Sequence, residues 1–154
     1  MHYEIVISEI MKSEIVPSRQ SALLALQRAT HVTQHVLAAE LVDLDLTASE
    51  ISALANLADG CGRTVSELGA AAGARPTTLT SVLDRLERRG HITRGARAGD
   101  RRSVLIELTS AGLLAAEKIR QTLTDLEHRA LGALPADAVA SFHTVLQALT
   151  KVSS

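Results

Sequence analysis

Aromatic side chains are nearly missing from this chain, which has one tyrosine, one phenylalanine and no tryptophan in 154 residues. A core built without them is aliphatic and alanine-rich, which favours closely packed helices. Their scarcity also excludes a platform of stacked rings for single-stranded nucleic acid. A single cysteine, Cys61, excludes an intramolecular disulfide and points to a reducing compartment, here expected to be the cytoplasm. No apolar run approaches the ~20 residues of a membrane span, so no membrane partner is expected. The first residues carry Glu4, Glu9 and Glu14 without a basic cluster, unlike a secretion signal. No glycine-rich phosphate loop and no Gly-x-Ser-x-Gly elbow occurs. Most of the carboxylates fall at helix caps and on helical surfaces. Neither an enzyme nor a cofactor is expected.

Net charge is also small, −1, with 46% hydrophobic residues. The charge is unevenly spread. Arg75 to Arg102 holds eight arginines against Asp84, Glu87 and Asp100, a local excess of five, while the remainder is net −6. A basic segment on an acidic body supplies phosphate contacts and discourages wrong docking poses.

That basic segment belongs to the stretch around which the chain is organised, Thr64 to Leu108. Thr64-Val65-Ser66-Glu67 has the capping-box pattern that starts a helix, and Gly73 punctuates its end. Pro76 opens a second helix, where its missing N–H costs nothing. Leu79, Val82, Leu83 and Leu86 form one apolar face at helical spacing. Thr77, Thr78, Ser81 and Arg85 form the other. Small hydroxyl side chains without acids let a helix sit deep in a DNA major groove, while Arg85, Arg88 and Arg89 suit phosphates. His91–Arg94 and Ser103–Leu108 read as two strands. The loop expected between them, Gly95 to Arg102, projects Arg97, Arg101 and Arg102, as a wing entering the minor groove would. The expected fold is mainly α with a small β-hairpin wing (α+β), a winged helix-turn-helix with helices on either side.

Leu46-Thr47 with Glu50, Thr64-Val65-Ser66-Glu67-Leu68, Leu86-Glu87-Arg88-Arg89-Gly90-His91-Ile92, Asp100-Arg101-Arg102 and Leu108-Thr109-Ser110-Ala111-Gly112 together resemble the MarR family of bacterial transcriptional regulators. The resemblance implies that Asp100 braces Arg102 on the wing. It implies homodimerisation through the terminal helices, and a small-molecule effector bound between those helices and the winged domain. It also implies a repressor acting on a palindromic operator in double-stranded DNA. Two positions depart from the family pattern: Ser81 stands where an arginine is frequent, and Arg75 where a small capping residue is common. Base preference therefore does not transfer.

The expected domains are an N-terminal arm (1–17), a dimerisation helix (18–45), the DNA-binding winged helix (46–108) and C-terminal dimerisation helices (109–154). DNA-contacting candidates are Arg75, Thr77, Thr78, Ser81, Arg85, Arg88, Arg97, Asp100, Arg101 and Arg102. Arg28, His31 and His35 on the first helix are candidate effector contacts. His31 and His35, four residues apart, have the spacing of a metal pair but no evident third ligand, so no metal site is assigned. Cys61 lies in a Gly-flanked loop that does not match the reactive position of peroxide-sensing relatives. A metal or redox sensor of the same fold, and a winged-helix protein-interaction module, are the alternatives.

Overall fold

The computed structural model describes residues 21–97 and 99–153, excluding the side chains of Arg97, Asp100, Arg101, Arg102 and Ser153. The expected arm at 1–17 lies outside the described residues. The chain forms two compact units, residues 1–36 and 37–154.

Helix α1 (Ala22–Glu40) supplies the described part of the first unit and runs four residues into the second. It buries none of its side chains, and Leu23, Leu24 and Val32 are each at least half exposed. The hydroxyls of Thr30 and Thr33 donate to carbonyls one turn back, which satisfies them without a tertiary partner.

In the second unit a 3₁₀ turn (Val42–Leu44) leads to α2 (Ala48–Ala55), β1 (Arg63–Thr64), α3 (Val65–Ala72), α4 (Pro76–Arg88), β2 (Ile92–Arg97), β3 (Asp100–Leu108), α5 (Ser110–Leu131) and α6 (Ala136–Thr150). Both expected capping boxes form. Thr47 and Glu50 start α2, and Thr64 and Glu67 start α3, each pair closing reciprocal backbone–side-chain hydrogen bonds. Gly73 ends α3 at φ +60, a conformation that a side chain disfavours. Arg75 is the N-cap of α4 without a side-chain cap bond, and Pro76 is its first residue.

Leu79, Val82, Leu83 and Leu86 all point into the core, as their spacing predicts. They meet Ile51, Leu54 and Leu57 from the α2 region, Leu68 of α3, Ile92 and Ile106 of the sheet, and Ala115, Ala116 and Ile119 of α5. Small residues on α5 let that helix lie close over the core. Beyond Ile119 the helix buries nothing, and Leu123 is exposed. On α6, Phe142 and Val145 are about half exposed.

The sheet differs from expectation in two ways. It has three antiparallel strands in the order β1-β3-β2, because Arg63 and Thr64 pair with Ile106 and Leu105. The hairpin is also longer than expected. Gly95, expected to begin the loop, pairs with Leu105, and Arg97 pairs with Asp100, so Arg97, Asp100, Arg101 and Arg102 lie on strands rather than in a loop. Gly99 at φ +84 supplies the reversal, and the register shifts between Ala96 and Arg97, whose partners Val104 and Asp100 are four positions apart on β3.

Candidate nucleic-acid interface

Helix α4 is held on three sides, which fixes the face it leaves open. Its Leu/Val stripe is buried. Its last turn is tied to the α2 entrance by Arg89, which donates to the backbone carbonyls of Asp45 and Leu44. Arg94 on β2 reaches back to it, donating to Asp84 at 2.6 Å and lying 3.4 Å from Glu87. The open face carries Thr77, Thr78, Ser81 and Arg88, all exposed. Ser81 donates its hydroxyl to the Thr78 carbonyl at 2.9 Å, leaving its oxygen as an acceptor. Thr77 and Thr78 make no side-chain hydrogen bond among the described residues. The face thus offers small, rotatable donors and acceptors of the kind that fit base edges.

The arginines divide into two groups. Among the described residues, Arg75 and Arg88 have no carboxylate partner; Arg88 donates only to the Asp84 carbonyl, at 3.3 Å. Arg85, Arg89 and Arg94 are each paired with acid, namely Glu50, Asp45, and Asp84 with Glu87. Counting charges along the segment therefore overstates the cationic groups that are free. The sequence reading missed the pairs of Arg85 and Arg89 because Glu50 and Asp45 lie outside the basic segment. The Glu50–Arg85 bond spans 35 positions, and no local spacing announces it.

Arg85 thus stands differently from the role expected for it. Its Nε donates to Glu50 Oε1 at 2.9 Å, in a cleft of about 390 Å³ lined by Asp45, Thr47, Glu50, Arg85, Arg88 and Arg89. Glu50 is the one buried charged residue among those described. Burial alone would raise its carboxyl pKa, but hydrogen bonds from the Thr47 backbone N–H and the Arg85 guanidinium outweigh burial and hold it below its ordinary value. A carboxylate whose folded pKa is depressed contributes stability above its unfolded value, and that contribution fades as pH falls through the folded value. Wild type should therefore be more stable than Glu50→Gln at neutral pH. The gap in urea midpoint should narrow as pH drops below the ordinary 4.5. A gap that stayed constant well below that pH would show that the charge of Glu50 is not what stabilises.

On the wing, the backbones of Arg97 and Asp100 face each other across the turn, with Arg101 and Arg102 following on β3. Their side chains, and with them the expected bracing of Arg102 by Asp100, lie outside the described residues. Arg28, His31 and His35 are exposed on α1 in the other unit, and the two imidazoles stack edge to face at 4.6 Å. Among the described residues no set of three His, Cys, Asp or Glu side chains is placed to hold a metal. Cys61 is exposed. Its N–H donates to Asp59, which also pairs with Arg63. That arginine, with the Cys61 N–H, holds the Asp59 carboxyl down at about 2. None of the described helices is long and apolar enough to cross a membrane.

Residues 44–103 match the model of the MarR family. The chain is 32% identical over 108 residues to the multiple antibiotic resistance protein MarR of Escherichia coli strain K12, covering 70% of this chain and 75% of that protein. A crystal structure of a mutant E. coli MarR complexed with operator DNA superposes at a TM-score of 0.67 and 29% identity, over 88% of this chain and 95% of that one. CouR from Rhodococcus jostii RHA1, bound to p-coumaroyl-CoA, shares the fold at a TM-score of 0.76 and 23% identity, over 82% of this chain and 89% of its own. With a winged helix in place and the family's motifs in order along it, the chain belongs to the MarR family of transcriptional regulators.

Proposed function

We propose that the protein is a repressor that binds a near-palindromic operator as a homodimer and is released by a small molecule. The observation that carries this reading is the acid-free first turn of α4 and the hydroxyls that follow it, with Thr77, Thr78, Ser81 and the carboxylate-free Arg75 and Arg88 open to solvent. Exposed apolar side chains along α1 in one unit, and along α5 and α6 in the other, support self-association, since a single chain leaves them open to water. The structural relatives bound to operator DNA and to p-coumaroyl-CoA support a duplex partner and an organic effector. Arg28, His31 and His35 are the polar groups proposed to meet that effector. Arg97, Arg101 and Arg102 are proposed to meet DNA from the wing, with Asp100 steadying it. Such a regulator acts where the chromosome lies, in the cytoplasm. The effector shifts the protein only by the difference in its affinity for the DNA-competent and DNA-incompetent forms.

The test uses duplexes enriched from a randomised pool by the purified protein. They should share an inverted repeat with half-site centres about 10 bp apart, and bind two chains each. Six or more phosphate contacts would cost about a thousandfold in affinity between 50 and 200 mM salt. Failure to enrich any sequence would sink the regulator reading and favour a protein-interaction module.

A further inference from the structure

The Glu50–Arg85 pair sits where a cap and a reading helix meet. Glu50 accepts from the Thr47 backbone N–H through Oε2 at 2.7 Å, and from Arg85 Nε through Oε1 at 2.9 Å. Both carboxylate oxygens are thereby committed, and the side chain is 2% exposed. The Arg85 side chain is 40% exposed, and its two Nη groups have no protein acceptor among the described residues. Along α4, Thr78, Ser81, Arg85 and Arg88 follow at spacings of three, four and three, so Arg85 shares a face with the exposed hydroxyls.

A helix cap alone needs no such partner, and a phosphate-seeking arginine needs no buried carboxylate behind it. Removing Arg85 from Glu50 would strand a buried charge, which is costly. The guanidinium therefore stays on Glu50 when DNA arrives. Its direction is set before binding, so it loses little rotamer freedom on docking. As a pair the two groups carry no net charge, so they displace no counterion from the duplex.

Resting on the DNA-binding reading above, we propose that Glu50 is a positioning residue for DNA recognition. It aims the two Nη groups of Arg85 at a pair of acceptors on the duplex and cancels the charge of Arg85. Arg85 then contributes direction, while Arg88 contributes charge. The paired acceptors are a base edge or two phosphate oxygens, since a guanidinium suits both.

Two variants test this by salt titration on the enriched duplex and a scrambled one. Glu50→Gln keeps the capping box, which glutamine also forms, but turns its amide N–H groups on Arg85 and frees the guanidinium. The slope of log affinity against log salt should steepen by about two units, one cation in each half-site of a dimer. The double variant Glu50→Gln/Arg85→Gln removes both charges, buries none, and serves if the single variant does not fold. Its slope should match wild type, whereas an ordinary phosphate-binding Arg85 would make it shallower by about two units. Its affinity should fall about tenfold or more if two half-sites each lose a bidentate contact. Loss confined to the enriched duplex assigns the acceptors to a base edge; equal loss on both duplexes assigns them to phosphates. A Glu50→Gln slope equal to wild type, a shallower double-variant slope, or no loss of affinity in the double variant would each overturn the proposal while leaving the DNA reading intact. Wild-type protein that binds neither duplex would overturn both.

Discussion

Replacing Gly112 by alanine should cost about 3 kcal/mol or more of unfolding free energy. Gly112 lies in the first turn of α5, where the helix passes over the base of the wing. A Cβ there would fall deep inside the van der Waals radius of the His91 backbone carbonyl oxygen and against Leu108. The obstacle is backbone, so no side-chain rotation relieves it. That carbonyl cannot retreat freely either, because it accepts from the Thr109 N–H at 3.0 Å and its own N–H is bonded to the Leu86 carbonyl. Thr109 closes the junction by donating its hydroxyl to the Gly90 carbonyl and accepting from Gly112 N–H. Alanine must therefore push α5 off the wing or break this knot. Differential scanning calorimetry should show a melting temperature lower by roughly 6–12 °C, at about 2–4 °C per kcal/mol for a chain of this size. A variant melting within a degree of wild type would show that α5 can slide without cost.

Leu86→Ala should be as damaging for the opposite reason. Leu86 is fully buried on the inner face of α4, among residues drawn from α2, α3, the sheet and α5. Truncation removes three methyl or methylene-equivalent carbons from a site whose walls belong to several elements, so none can collapse alone to fill it. The expected loss is about 2–5 kcal/mol by chemical denaturation. Duplex binding should decline only to the extent that the folded fraction does, since Leu86 faces away from the open side of α4. A loss below about 1 kcal/mol would mean that the core around Leu86 repacks. Loss of DNA binding at a temperature where the variant is fully folded would mean that the core sets the pose of α4 as well as its stability.

What could be read from the sequence was local. Capping boxes are signals four residues long, so Thr47 with Glu50 and Thr64 with Glu67 stood out before any tertiary contact was known. The Leu79–Leu86 stripe declared its buried face through period alone, and with it the face left for a partner. The reading weakened where partners are distant in sequence. Arg63 and Thr64 form a strand only because β3 lies alongside; two residues carry no alternation to detect. Gly95 looked like a turn residue, yet the ladder runs through it and the reversal comes later, at Gly99. On α5 the periodic stripe of Leu113, Ala116, Ile119 and Leu123 gave no hint of its division, with Ala116 and Ile119 in the core and the two leucines outside. Most consequentially, charge counting treated Arg85 and Arg89 as available cations, while the fold pairs them with Glu50 and Asp45, acids outside the basic segment.

The knot at Gly112 has a mechanical meaning as well. From Gly112 to Leu131 the helix extends about 29 Å at 1.5 Å per residue, and Ile119 is the last side chain it buries. Its root is thus clamped at the wing, while its far half buries no side chain and is tied to Glu40 through Arg129. Over that length, a sideways displacement of 1 Å at Leu131 corresponds to a rotation of about two degrees at the clamp. Whatever grips the far end thus holds a long lever on the reading head. The stiffness of the joint between Gly112 and His91 decides how much of that torque arrives.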